Sequence, residues 1–138
     1  MKNVAQLNQE LHNRRTAVTI GLMGIVGVHL ADLPAKWEET RYIAWMYIGA
    51  ILAGLFLIDR LVVKTSKRDY FASSFLSISV LMGYVVNRTV GMPGAKGDIG
   101  NWFEPLGFLS IVIELFAVWH SVHAFQTIRA IEKQQPTK

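Results

Sequence analysis

Four long apolar runs dominate the chain, and charged residues crowd into the intervals between them. Thr16–Ala31 contains no Asp, Glu, Lys or Arg, and His29 is its only titratable side chain. Tyr42–Ile58 is uncharged between Arg41 and Asp59, and Tyr70–Asn87 is uncharged between Asp69 and Arg88. In Pro105–Ile128 the only titratable groups are Glu114, His120 and His123. Unbroken runs of 16–18 residues reach about 24–27 Å as helices, slightly short of a hydrocarbon core of about 30 Å. Flanking residues with snorkelling charges supply the missing turn. The pattern predicts four transmembrane helices at about 16–33, 41–63, 70–88 and 103–128, forming a single all-α domain over 1–138. Loops 34–40 and 89–102 then share one side. In the polar start, Val4, Leu7 and Leu11 recur at helical spacing and predict a short interfacial helix. The Gln134–Lys138 tail is expected to fray.

Composition sharpens this picture. Hydrophobic residues make up 51% and charged residues 17%, a balance with too little polar surface for a soluble bundle and right for a polytopic membrane protein. With no cysteine, disulfides and thiolate metal sites are excluded. No cleavable signal peptide is expected, because the first apolar run begins only after Arg15. The net charge of +4 is not a nucleic-acid footprint, because its distribution is lopsided. Ten of the 14 Lys and Arg (residues 2, 14, 15, 60, 64, 67, 68, 129, 133 and 138) fall on the side of the termini. Only Lys36, Arg41, Arg88 and Lys96 fall on the other. The positive-inside bias therefore predicts cytoplasmic termini and a multi-pass protein of the cell membrane, with the bilayer as first partner.

Small residues recur on one face of each run. Gly107, Ser110, Glu114, Ala117, Ser121 and Ala124 form one stripe, and Ala17, Gly21, Gly24 and Val28 form another. Ala50 with Gly54 and Ser73 with Ser77 extend the pattern. Such stripes let helix backbones approach closely in lipid, with the long aliphatics turned outwards.

Candidate chemistry gathers towards the 89–102 loop. Glu114 lies ten residues beyond Glu104, about 15 Å along a helix, and an intramembrane acid marks either a function or a neutral hydrogen-bonding group. His29 and Arg88 end the first and third runs on the same side, with Asp98 in the loop between. His29 sits about 80° around its helix from the glycine stripe, so it is expected to face a different neighbour. His29, Trp37, Glu38, Arg88, Asp98 and Glu114 form the expected polar cluster. Its chemical readings are a metal site on His29, Asp98 and Glu114, a proton path, or a buried ion-pair network. His120 and His123, one turn apart, suit an aromatic belt beside Trp119 better than a metal or haem. Trp37, Tyr42, Trp45, Tyr47 and Trp102 read as interfacial anchors. Gly91, Gly94, Gly97 and Gly100 form a turn and not a phosphate cradle, since no strand precedes them and no Gly-Lys-Ser/Thr follows. Pro105 suits the first turn of the last helix, with Asp98 or Asn101 as its cap.

These residues resemble a widespread group of small, largely uncharacterised four-helix membrane proteins of actinobacteria and archaea. The shared pattern is His29-Leu30, Trp37-Glu38, Arg88-Thr89-Val90-Gly91-Met92-Pro93, Asp98 and Glu114, and it runs from about Gly24 to Leu115. The Arg-Thr-x-Gly-x-Pro turn is its most specific part. Many members place a second His directly before the Trp, where this chain has Lys36, so a two-histidine metal site would be one ligand short here. The resemblance implies topology and site location without supplying an activity. No nucleophile is paired with a positioned base. The leading expectation is therefore a non-catalytic accessory subunit beside other membrane subunits, of the kind found with a membrane oxidoreductase or copper-type monooxygenase. The alternative is a small membrane protein that binds a metal ion or relays protons through the His/Arg/Asp/Glu cluster.

Overall fold

In the computed structural model, which describes residues 2–135, each apolar run is the core of a long helix. The helices are α1 (Val4–Glu39), α2 (Arg41–Val63), α3 (Lys67–Thr89) and α4 (Pro105–Gln134), with a 3₁₀ turn at Lys96–Asp98. No strand occurs among the described residues. All four helices are long and apolar enough to cross a membrane, with best windows of mean hydropathy 1.4 to 2.0. The chain is a four-helix polytopic membrane protein.

The bounds differ from expectation mainly at α1. Asn3 caps it, its side chain accepting from the Gln6 N–H while the Gln6 side chain accepts from the Asn3 N–H. This box starts a helix that runs unbroken into the membrane span, so the N-terminal interfacial helix is not a separate element. At the other end the expected loop 34–40 shrinks to Thr40. Pro34 lies inside α1, which continues past it for more than a turn. A Lys36–Glu39 ion pair of 2.8 Å spans this last turn. Thr40 alone then redirects the chain, and its N–H still bonds the Lys36 carbonyl at 2.9 Å. The second loop is real, and it runs from the end of α3 to Pro105. Gly91 opens it with φ +81°, its N–H reaching back to the Val86 carbonyl at 3.0 Å. Only glycine takes that left-handed helix end without strain. Of the tail expected to fray, Gln134 still belongs to α4, and residues 136–138 lie outside the described residues.

Neighbouring helices pack in the order α2, α1, α4, α3, and α2 and α3 make much the loosest of the four junctions. The tight junctions are made by the small faces. A Cβ on Gly21 would meet Ala117 Cβ at 2.9 Å, and one on Gly24 would meet Ile113 at 2.8 Å. On Gly54 it would meet Val26 at 2.7 Å, and on Gly107 it would meet Tyr84 at 2.6 Å. Val18, Leu22, Ile25, Leu57, Leu61, Tyr70, Ala117 and Ala124 form the buried apolar cluster. Most of it lies in the half of the bundle nearer the chain termini. The half nearer the α3–α4 loop is organised differently.

Candidate functional site: a chamber within the bundle

At the loop half the four helices enclose a cavity of about 370 Å³. Every helix contributes residues at helical spacing. These are His29, Asp32 and Lys36 from α1; Ile43, Met46, Tyr47 and Ala50 from α2; Val80, Gly83, Tyr84, Asn87 and Arg88 from α3; and Gly107, Ser110 and Glu114 from α4. The wall is apolar through most of its depth and polar towards the loop, while Glu114 marks the deep end.

Arg88 anchors the polar end. Its side chain is 4% exposed, and Nη1 donates to the Asp98 carbonyl at 3.2 Å and lies 3.1 Å from Asp98 Oδ1. Nη2 donates to Glu104, and the guanidinium sits 5.0 Å from the Tyr84 ring centre. Asp98 is a junction: its Oδ2 accepts from Asn87 Nδ2 at 2.8 Å and lies 3.7 Å from Lys36 Nζ. Burial pushes the Asp98 carboxyl up, but the Asn87 hydrogen bond and the Lys36 and Arg88 charges outweigh it and hold the group below its usual value of 3.8. Tyr47 donates to Asp32 at 3.0 Å. The Arg88 Nε has no hydrogen-bond partner among the described residues.

Two side chains lie nearer the apolar wall. His29, 5% exposed, directs Nδ1 to the Ile25 carbonyl at 2.8 Å. A carbonyl only accepts, so Nδ1 carries a proton, and in the neutral form of the ring Nε2 is the acceptor nitrogen. The His29 and Tyr47 rings meet edge to face at 4.6 Å. His29 thus turns to α2 while Gly21 and Gly24 turn to α4, as the helical angle predicted. Glu114 is fully buried. Its Oε1 accepts from Ser110, and its Oε2 has no partner among the described residues.

Of the expected cluster, His29, Arg88 and Glu114 line the chamber, while Asp98 backs it from the loop. Trp37 and Glu38 do not join. Trp37 packs against Trp45 at 5.6 Å and under Arg41 at 5.8 Å, and Glu38 is exposed, because the extended α1 carries both around to another face. The expected metal set of His29, Asp98 and Glu114 is not brought together either. Among the described residues no three His, Asp or Glu side chains converge as a metal site. Asp98 is committed to two cations and an amide, and His29 Nδ1 to backbone. Neither Asp98 nor Asn101 caps α4, which begins at Pro105 after an uncapped Glu104. His120 and His123 part company: Nδ1 of His120 meets Arg14 Nη1 at 2.9 Å, and Nδ1 of His123 meets its own helix at the Trp119 carbonyl.

Sequence reasoning placed Asp32 beside His29 as a nearby carboxylate but passed over Lys36, Tyr47, Tyr84, Asn87, Glu104 and Ser110 as parts of one site. A signal was present in α1, where His29, Asp32 and Lys36 follow i, i+3, i+7 spacing and share a face. Tyr47 was assigned to the interface by its type, yet it points inward. Comparison with protein-family models, with curated proteins and with solved structures gives no match. The bundle and its chamber therefore stand as the description of this protein's class.

Proposed function

We propose that this protein holds a small molecule in an intramembrane chamber, in a multi-pass protein of the cell membrane with both termini cytoplasmic. The observation that carries this reading is the coincidence of a cavity of about 370 Å³ with a fully buried Glu114 whose Oε2 lacks a partner there. Ligand sites are commonly concave, largely apolar and supplied with a few convergent polar groups, and this cavity is of that kind. A membrane bundle with no use for the space would be stabilised by filling it. A binding role agrees with the region marked by the resemblance to small four-helix membrane proteins. An accessory place in a larger membrane complex, for which the small size and the small-residue helix faces speak, is compatible with it.

The test is to compare wild-type protein with Ala50→Trp, which projects a large ring into the chamber. Each is purified in mild detergent, extracted with organic solvent and analysed by mass spectrometry. A molecule retained by wild type at about one per chain and missing from a folded Ala50→Trp is expected. Identical extracts from both would overturn the reading.

A further inference from the structure

The chamber has a side opening. Met46 is 54% exposed, and Gly49 and Ser79 are also exposed; all three belong to the chamber wall. A residue that lines a cavity and also meets the outside marks where the cavity reaches the surface. These three sit on α2 and α3, at the loosest helix junction of the bundle. Gly49 lies eight residues inside the loop-end terminus of α2, and Ser79 lies ten inside that of α3. At 1.5 Å per residue these are depths of about 12 and 15 Å, well within the hydrocarbon layer.

The glycines at this junction are of another kind from those that pack helices. A Cβ on Gly49 would meet nothing within 4 Å, and one on Gly83 would meet only Met92 Cε at 3.9 Å. They bring no backbones together, and the lack of a side chain leaves the gap unfilled. The loop end, by contrast, is covered. Met92 lines the chamber from the loop, and the Tyr42 hydroxyl ties α2 to the Pro93 carbonyl at 2.7 Å. Arg88 clamps the loop through Asp98 and Glu104.

Resting on the binding reading above, we infer that the gap between α2 and α3 is a lateral portal that admits a neutral amphiphile from the bilayer. The site's charges argue for a neutral head. Arg88 already faces Asp98 and Glu104, Lys36 faces Glu39 and Asp98, and Asp32 holds the Tyr47 hydroxyl. An anionic head would compete with these carboxylates, and a cationic one would meet Lys36 and Arg88. His29 Nε2 and Glu114 Oε2 remain as acceptor positions for the donating O–H of a hydroxyl head. The tail fits the apolar wall and leaves through the portal.

The experiment uses the full chain in phosphatidylcholine vesicles with a diazirine-bearing hexadecanol as photoprobe, and adducts are mapped by peptide mass spectrometry. Labelling of Glu114 is expected, competed by plain hexadecanol at least about tenfold better than by hexadecanoate or hexadecylamine, since an uncompensated buried charge is costly. Gly83→Leu and Gly49→Leu, which have room for the new side chain, should each suppress the Glu114 adduct while leaving labels on lipid-facing Phe71 and Phe75. If both leave the Glu114 adduct intact while Ala50→Trp abolishes it, the chamber stands and the portal is wrong. If Ala50→Trp also leaves it intact, the chamber reading itself fails. Equal or better competition by a charged probe overturns the neutral-head assignment.

Discussion

Arg88 shows how one residue ties helix, loop and chamber together. It is nearly enclosed, its two carboxylate partners come from the loop and from the residue before α4, and its own carbonyl accepts from Gly100 at 2.9 Å. Removing one member of such a cluster leaves the others desolvated and unpaired. Arg88→Met should therefore lower stability by about 3 kcal/mol, read by thermal unfolding in detergent, and a change no larger than that of an exposed-site substitution would refute this role. Asp98 adds a pH dependence. Its carboxyl is held below the unfolded value of 3.8, so it favours the folded state at neutral pH, and that contribution is lost as pH falls through the depressed value. Wild type should lose stability more steeply than Asp98→Asn below about pH 4, and parallel curves would count against the assignment. Arg88 and Glu114 were legible in the sequence because charge beside or inside an apolar run is costly. Trp37 and Glu38 were misplaced because the reading ended α1 near Pro34, and side-chain direction changes by about 100° with each added helical residue.

At the scale of the helices, the small-residue stripes were legible because close approach in lipid demands them, but their pairing was not. Periodicity puts Gly21 and Gly107 in the stripes and leaves Gly27 and Gly49 outside them, without saying which helix each meets. The structure divides them into those whose missing Cβ is another helix's space and those that face open surroundings. Gly107→Leu would drive its side chain into the Tyr84 ring, whose nearest atom would be 2.6 Å from the new Cβ. It should cost about 1–3 kcal/mol by overpacking. Gly27→Leu, with nothing within 4 Å of its Cβ, should cost less than about 0.5 kcal/mol. Comparing the two melting temperatures checks the division, and equal losses would dissolve it. The length of α1 was underestimated for a local reason. Polar residues before Thr16 and Pro34 near its end both read as boundaries, yet the Asn3–Gln6 cap and the Lys36–Glu39 pair carry the helix beyond each of them.

For the whole molecule, helix number and apolar surface follow from four runs separated by charge, and these were the most legible features. The chamber was not, because it depends on how far two helices stand apart, and no spacing within one helix reports that distance. The proposed orientation rests on ten Lys and Arg at the chain ends and the α2–α3 turn, against four on the opposite side. Alkaline phosphatase fused after Lys138 should be inactive in cells and a fluorescent protein at the same place bright, and the reverse pattern would invert the topology. The single-residue joint at Thr40 has a consequence for biosynthesis. With no spare chain between them, α1 and α2 are committed to the bilayer as one hairpin as the nascent chain emerges. The α3–α4 pair follows with a loop that carries its own counterions, Arg88 and Lys96 matched by Asp98 and Glu104. In the proposed orientation, translocation of that loop would move no net charge across the membrane, so the neutrality that shapes the mature rim would also ease its making.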